Sequence, residues 1–218
     1  MIPWQDLTTY VQQLTTVDYS GHDWDHIQRV QRLSAYLATQ EKVPADQYAL
    51  IKAAALTHDV LDHKLAAEPE LIIRRQVLQT HYQKAGFTAT QRQAIFDIIE
   101  HLSFAANLQQ HYQLSLAGQI VQDADRLDAL GAIGIGRALY YGAKTKAPMY
   151  DPNVTARTDL NAHNYRRQVP VLTHFEEKLF KLPALMNTKS AQQLAQERVE
   201  YMHHFVQEFQ HEWHFGEK

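Results

Sequence analysis

The sequence predicts an all-α fold, built as one helical bundle in a single domain. Apolar residues recur at intervals of three and four along most of the chain, for example at Ile27, Val30, Leu33 and Leu37. This spacing is the period of a helix that buries one face. Alternating apolar and polar runs, which would predict half-buried strands, are missing from the sequence.

Helix-start signals agree with this periodicity. Ser20, followed three residues later by Asp23, resembles a capping box, and Pro44 suits a first helical turn. The two kinds of signal together predict helices over residues 2–17, 22–41, 44–62, 69–84, 88–105, 114–128, 130–142, 160–181 and 188–212.

The stretch AKTKAPMYDPNVTARTD, residues 143–159, is predicted to be a long loop. It carries two prolines and several turn-forming residues. A long ordered loop can cover a functional site or merely connect helices, and both interpretations stay open for this one. The domain organisation expected from these elements spans residues 1–218. Its core motifs lie in residues 21–130, and a helical C-terminal extension packs on them after the loop.

GAIGIG, residues 131–136, resembles a glycine-rich nucleotide loop only superficially. It lacks a preceding strand and a following Gly-Lys-Ser/Thr, so the phosphate-cradling geometry is not expected. Glycines in a helical stretch more often allow helices to pack closely. We therefore assign no chemistry to these glycines.

Composition excludes several function classes. A chain of 218 residues with 45% hydrophobic residues is long enough to bury one sizeable core, and its net charge of -3 does not favour nucleic-acid or membrane binding. The absence of cysteine excludes disulfides, thiolate metal sites and cysteine nucleophiles. No window resembles a signal peptide or a membrane span, so a cytoplasmic protein is expected.

Three separate helical segments carry histidine and aspartate next to apolar residues. His26 lies in GHDWDHIQRV, and His58 and Asp59 follow the apolar stretch AAALT. The third segment, QIVQDADRLDAL, contains Asp123, Asp125 and Asp128. Taken singly, each has an ordinary explanation as a helix cap, a salt bridge or a solvated acidic face. The combination on three segments is much more specific, because a buried His-Asp pair needs a partner and a metal ion would supply one.

The order DHIQRV, THDVLD and ADRLDA resembles the motif of the HD superfamily of metal-dependent phosphohydrolases, namely a His, a His-Asp doublet and a final Asp. The fuller stretches GHDWDHIQRV, IVQDADRLDALGAIGIGRA, YDP and HFEEKLFKL further resemble a bacterial subgroup of small, standalone HD hydrolases. The resemblance covers most of the chain, from about Gly21 to Trp213. It implies an HD-type helical bundle with a metal site where several helices converge.

By this resemblance His26, His58, Asp59 and Asp125 are the metal ligands. Two imidazoles and two carboxylates suit a divalent ion, with manganese as the first choice and magnesium, iron, cobalt or nickel as alternatives. Asp62, three residues after Asp59, resembles an acidic residue that orients or deprotonates the attacking water in relatives.

Candidate substrate ligands are basic residues near these motifs, since several cationic donors are needed to bind a polyphosphate. They are His22, Arg29, Lys64, His101, Arg126, Lys144 and Lys178. His22 lies one turn before His26 and could contact either substrate or a second metal. Asp23 and Asp25 are expected to interact with the positive start of their helix.

The resemblance implies a nucleoside triphosphate pyrophosphohydrolase that releases nucleoside monophosphate and pyrophosphate. The same metal shell also suits a nucleoside monophosphatase or a cyclic-nucleotide or guanosine-tetraphosphate phosphodiesterase. A nucleotide-binding regulator without turnover is a third possibility, although it would not need the intact set of polar residues. The expected partner is a small nucleotide, with no nucleic acid and no membrane.

Overall fold

The computed structural model describes residues 4–15, 21–62, 66–107, 112–161, 164 and 167–216. Within these ranges all regular secondary structure is helical. The α-helices are α1 (Trp4–Thr15), α2 (Trp24–Gln40), α3 (Tyr48–Thr57), α4 (Glu68–Lys84), α5 (Ala89–His101), α6 (Phe104–Asn107), α7 (Leu116–Asp128), α8 (Gly131–Thr145), α9 (Val171–Glu177) and α10 (Lys189–Trp213). Two 3₁₀-helices span Ala45–Gln47 and Leu179–Leu185. The predicted all-α class is confirmed.

The centre of the bundle is formed by α2, α3 and α7, which pack on one another. α3 is the most apolar of them, and Ala53, Ala54 and Ala55 in its middle are fully buried. α5 packs on α3 from outside, while α10 packs on α8, α7 and the 179–185 helix. The helices that carry the His and Asp motifs are therefore the helices at the centre of the core.

Helix starts follow their capping residues. α5 begins at a complete capping box, in which the Thr88 hydroxyl accepts from the Gln91 N–H and the Gln91 side chain accepts from the Thr88 N–H. α2 begins after Asp23, whose carboxylate accepts from the backbone N–H of His26 at 2.8 Å. Asp23 is therefore the N-cap of α2, which agrees with its expected interaction with the start of the helix. Ser20 lies outside the described residues.

The predicted helix over 160–181 is wrong. In the structure the chain forms α9 only from Val171, directly after Pro170. Proline lacks an N–H and disfavours a helical conformation in the residue before it, so a helix cannot run through this position. α8 is longer than predicted and ends at Thr145, with Lys146 in a left-handed conformation as its C-cap. The long connection therefore extends to Pro170.

This connection is held against α9. The N–H groups of Val171 and Leu172 donate to the carbonyls of Pro148 and Met149. Further along, Arg157 donates from its backbone N, Nε and Nη2 to the Glu177 carboxylate, over distances of 2.6–3.0 Å. The path of the loop is thus fixed by α9, and a covering role over the site remains a prediction.

The glycines of α8 differ in how closely other atoms approach them, and Gly136 of GAIGIG has nothing within 4 Å of where a Cβ would lie. A Cβ at Gly134 would collide with the carbonyl of Ala129, and a Cβ at Gly142 would collide with the side chain of Val171. None of the helices in the described part of the chain has the length and apolar character needed to cross a membrane.

Candidate metal centre

The start of α2 delivers His26 into the core. The N-cap Asp23 fixes where the helix begins, and His26 lies in its first turn beside the buried Ile27. The His26 side chain has no exposed surface. An imidazole buried this completely needs partners for both ring nitrogens.

The end of α3 delivers the His58-Asp59 doublet. α3 ends at Thr57, earlier than the predicted residue 62, and His58 is its C-cap. The His58 Nδ1–H donates to the carbonyl of Ala55 at 2.9 Å, which fixes the ring against its own helix. Both members of the doublet are buried, because the apolar helix before them runs through the core.

α7 presents its aspartates in different directions. Asp123 is fully buried and accepts hydrogen bonds from the backbone and side chains of Asn187 and Thr188, which ties it to the start of α10. Asp125 is partly exposed and faces His26 and His58. The sequence pattern alone did not separate these two roles.

The four predicted metal ligands converge on one point. The Nε2 atoms of His26 and His58 lie 3.0 Å apart. Asp59 Oδ2 lies 3.3 Å from His26 Nε2 and 3.4 Å from His58 Nε2. Asp125 Oδ1 lies 3.5 and 3.8 Å from the same two nitrogens. Metal–ligand bonds of about 2.0–2.2 Å are compatible with donor atoms at these separations around a single ion.

The hydrogen bonds on the far side of each ring show why these atoms suit a cation. His26 Nδ1 lies 2.7 Å from Asp128 Oδ2, so this nitrogen carries a proton and donates to the carboxylate. His58 Nδ1 donates to a carbonyl in the same way. Each Nε2 therefore points toward the other and toward two carboxylate oxygens, so a positive charge is needed among these atoms. A proton on His26 Nε2 supplies it in the free protein, in line with the raised pKa of His26, and a divalent cation would replace that proton, with each imidazole backed by its outer partner.

The electrostatics of the cluster follow from these contacts. Burial lowers the pKa of His26, but hydrogen bonds with Asp128 and Asp59 outweigh burial and raise it to about 9. Burial raises the pKa of Asp59, yet the imidazoles of His58 and His22 hold it well below its usual range. Burial also raises the pKa of Asp125, while His58 and His26 lower it overall. Both carboxylates are therefore ionised, as metal ligands must be.

Asp128 is the main site residue that the sequence reasoning missed. Its carboxylate accepts from His26 Nδ1, from Nε and Nη2 of Arg29 at 2.7 and 3.1 Å, and from Nη1 of Arg137 at 2.8 Å. Arg137 also donates to the carbonyl of Gly21 at 2.7 Å. The available signal was the apolar surroundings of Asp128 on α7, three residues after Asp125, but the pattern did not show which partners it meets.

His22 is also brought to the centre. Its Nδ1 lies 2.8 Å from Asp59 Oδ2, and its ring makes an edge contact with the ring of His26. His22, His26 and Asp59 form one group of possible ligand atoms, and His26, His58 and Asp125 form another, so the two groups have His26 in common. His22 therefore lies beside His26 and Asp59, and its contact with substrate or a second metal stays a prediction.

Two predicted residues, Asp62 and Arg126, lie near the ends of the motif helices. Asp62 follows the doublet in a turn, with its backbone N–H donating to the carbonyl of Asp59. Arg126 donates from Nη1 to the carbonyl of Leu185, so part of its guanidinium is used within the protein. Lys64 lies outside the described residues. The roles of all three stay predictions.

The other predicted substrate ligands have partners of their own. His101 Nδ1 donates to the carbonyl of Asp97, and the ring contacts that of Tyr112. The Lys178 ammonium lies 4.9 Å from the centre of the Phe104 ring. Lys144 is exposed in the last turn of α8. Their participation in substrate binding is not tested by these contacts.

Comparison with known proteins places the chain in a family. No protein-family model matches the chain. A solved structure from Lactobacillus plantarum superposes with a TM-score of 0.83 at 44% identity, covering 95% of this chain and 94% of that one. An HD-superfamily hydrolase from Bacillus thuringiensis superposes with a TM-score of 0.72 at 36% identity, covering 97% of this chain and 96% of that one. The chain belongs to the HD superfamily. It is accordingly a metal-dependent phosphohydrolase, and the resemblance seen in the sequence is confirmed.

A curated relative of this HD protein is YpgQ of Bacillus subtilis strain 168, itself uncharacterized. It is 35% identical over 209 residues, which span 94% of this chain and 91% of that protein. A crystal structure of YpgQ in complex with ADP superposes on the HD chain with a TM-score of 0.72 at 28% identity, covering 97% of each.

Proposed function

We propose that the protein is a divalent-metal-dependent nucleoside triphosphate pyrophosphohydrolase that produces nucleoside monophosphate and pyrophosphate. The observation that carries the proposal is the pair of Nε2 atoms of His26 and His58, 3.0 Å apart, facing the carboxylates of Asp59 and Asp125. The nucleotide class is supported by the ADP complex of YpgQ. The triphosphate and the release of pyrophosphate are implied by the sequence resemblance to the small bacterial HD hydrolases.

Each residue of the centre has a defined task in this proposal. His26, His58, Asp59 and Asp125 hold the cation, for which manganese is our first choice. When bound there, a divalent cation lowers the pKa of a water molecule and polarises a phosphoryl oxygen. His22 hydrogen-bonds to Asp59 and keeps that carboxylate turned toward the ligand nitrogens.

We assign to Asp62 the role of general base, which accepts a proton from the attacking water. The water adds to the α-phosphorus, the bond from that phosphorus to the bridging oxygen breaks, and pyrophosphate leaves while Asp62 accepts the proton. Cationic side chains balance the charge of the leaving group; we assign this task to Lys64, His101, Arg126, Lys144 and Lys178. Arg29 is left out of this set, because it bonds to Asp128 and lines a separate pocket to which none of the four predicted metal ligands belongs.

The test is a product-resolved activity screen. Protein stripped of metal with a chelator is incubated with nucleoside mono-, di- and triphosphates, with and without manganese, and the products are separated by chromatography. We expect manganese-dependent formation of monophosphate and pyrophosphate from a triphosphate. His58→Ala should abolish this activity, whereas His211→Ala, on the exposed face of α10, should retain it.

Other products would redirect the proposal. Phosphate released from a monophosphate would indicate a monophosphatase, and opening of a cyclic nucleotide or removal of a 3′-pyrophosphate would indicate a phosphodiesterase. Nucleotide binding without turnover in the presence of metal would indicate a regulator.

The role of Asp62 needs a separate variant. Asp62→Ala should lose hydrolysis while it still binds manganese in a direct metal titration, because Asp62 is not among the ligands. Asp46→Ala, an exposed carboxylate in the 45–47 helix, serves as the matched control. Unchanged hydrolysis by Asp62→Ala with metal bound would remove Asp62 from the mechanism.

A further inference from the structure

A second pocket lies beside the metal centre and shares Asp128 with it. It has a volume of about 390 Å³, within the range of about 300–1,000 Å³ typical of small-molecule sites. The pocket is lined by Arg29, Arg32, Arg198, Asp128 and the first turn of α8, and none of the four metal ligands lines it. It is therefore a different site from the one at which hydrolysis is proposed.

Each of the three arginines retains hydrogen-bond donors. Arg29 uses Nε and Nη2 for Asp128 and has no acceptor for Nη1 in the described part of the chain. Arg198 uses Nη1 for the carbonyl of Leu127. Arg32 is exposed and has no hydrogen-bond or ion-pair partner among the described residues. A guanidinium has five N–H donors, so the lining offers several donors to a ligand.

The charge of the pocket is positive. Asp128 is the one carboxylate in the described lining, and it is already bonded to Arg29, Arg137 and His26. Three guanidinium groups therefore share one carboxylate in the lining, and this carboxylate also acts on the charge of Arg198, so the lining keeps a positive balance. Arginine clusters of this kind match the oxygens of a phosphate group.

The start of α8 adds an independent group of donors. Leu130 is the N-cap of this 15-residue helix and supplies no side-chain cap. The first N–H groups of a helix have no partner within it, and they carry partial positive charge. Gly131 has a φ of +73°, and a Cβ there would lie 3.2 Å from Cγ of Arg198. Glycine at this position thus lets Arg198 lie directly against the helix start.

The remaining wall of the pocket is apolar. It is formed by Leu33, Leu130, Ala132 and Ile133, and Ile133 is 50% exposed. An inorganic anion would leave this wall uncovered, whereas the organic part of a phosphate ester would cover it. One side of the pocket offers N–H donors for an anion, and the other side offers an apolar surface. The matching ligand has both an anionic group and an apolar organic part.

We propose that this pocket binds an organic phosphate monoester of about mononucleotide size. Its phosphate lies among Arg29, Arg32, Arg198 and the N–H groups at the start of α8. Its organic part packs on Leu33 and Ile133. Binding at this pocket does not require the metal ligands and is independent of the proposed hydrolysis.

Isothermal titration calorimetry with AMP tests the proposal. The key variant is Arg32→Glu, since Arg32 is exposed and makes no internal contact whose loss would unfold the protein. We expect AMP binding at the pocket to weaken at least about tenfold, equivalent to about 1.4 kcal/mol. Lys84→Glu makes the same change of charge at an exposed lysine of α4 and should bind as the wild type does. Arg198→Met is a second pocket variant and should also weaken binding.

Two further titrations locate the site and define the ligand. In His58→Ala, which removes a metal ligand, AMP should still bind and remain sensitive to Arg32→Glu. Orthophosphate and adenosine should each bind at least about tenfold more weakly than AMP, because each covers only one side of the pocket.

Several results would overturn the proposal. They are no saturable AMP binding to the wild-type protein, equal binding by Arg32→Glu, or loss of all binding in His58→Ala. Equal affinity for orthophosphate and AMP would overturn the assignment to an ester. All these readouts are binding constants, so they stay informative even if no substrate is ever hydrolysed.

Discussion

Asp128 and Glu177 are two buried carboxylates, each 2% exposed and each bonded to arginine, yet they serve different regions of the molecule. Asp128 bonds to three side chains, His26 and Arg29 of α2 and Arg137 of α8, and His26 is one of the predicted metal ligands. Glu177 accepts three hydrogen bonds from a single residue, Arg157. The Asp128 carboxylate orients the imidazole of His26, while the Glu177 carboxylate fixes the path of the loop through Arg157.

The two carboxyl groups also have the same electrostatic balance. For each, burial raises the pKa, but hydrogen bonds outweigh burial, with His26 and Arg29 acting on Asp128 and Arg157 acting on Glu177. Both pKa values lie below their usual range, so both groups are ionised at neutral pH. A buried arginine–carboxylate pair therefore does not by itself reveal a functional site, and what distinguishes Asp128 is its contact with His26.

The largest effect is expected from Asp128→Asn. The amide keeps the shape but removes the negative charge, which leaves Arg29 and Arg137 without a full counter-charge. We expect a loss of about 3 kcal/mol in the free energy of unfolding. Metal affinity should fall roughly tenfold to a hundredfold, because the outer partner of His26 is weakened. Urea unfolding and a direct manganese titration measure the two effects.

Asp123→Asn is the matched control for that substitution. Asp123 is on the same helix and fully buried, but its partners are Asn187 and Thr188. This variant should lose stability while its manganese affinity stays unchanged. If both variants lost metal affinity equally, the loss would come from a general disturbance of α7 and not from the hydrogen bond between Asp128 and His26.

A smaller effect is expected from Glu177→Gln. Replacing the carboxylate weakens charge-assisted hydrogen bonds from Arg157, and we expect a loss of about 2 kcal/mol in the free energy of unfolding. Proteolysis within residues 146–170 should become faster, while metal affinity should stay the same. Glu176→Gln, at the exposed neighbouring position, should change neither property. A fall in metal affinity for Glu177→Gln would show that the loop supports the metal centre after all.

Most of the helices could be predicted because their signals are local, while the four metal ligands were implied by the resemblance of three short motifs and stay a prediction. Burial of Ile27 and Val30 follows from spacing within one helix, and the His, His-Asp and Asp pattern is read directly from the sequence. Asp128 could not be assigned in this way, because His26 and Arg29 lie 102 and 99 residues away in the sequence and its surroundings resemble those of Asp123. The pairing of Arg157 with Glu177 is likewise a long-range contact within a region of low helical periodicity.

The wrong prediction of a helix over 160–181 has a similar explanation. The helix begins only at Val171, because Pro170 disfavours a helical conformation in the residue before it. Backbone hydrogen bonds of this connection run to Pro148 and Met149, and such tertiary contacts leave no local periodic signal. The proposed single-domain organisation stays a prediction.

The smallest effect is the pH dependence of the Glu177 contribution. The pKa of Glu177 in the folded protein lies below its ordinary value of 4.5, so the unfolded chain binds the proton more readily. Its stabilisation is therefore complete above pH 4.5 and is lost as pH falls through the folded pKa. The difference in unfolding free energy between wild type and Glu177→Gln should be larger at about pH 7 than at about pH 4. Acid protonates the metal centre equally in both proteins, so that contribution cancels in the difference. A difference that is constant or grows toward acid would mean that Glu177 stabilises α9 through packing and not through its charge.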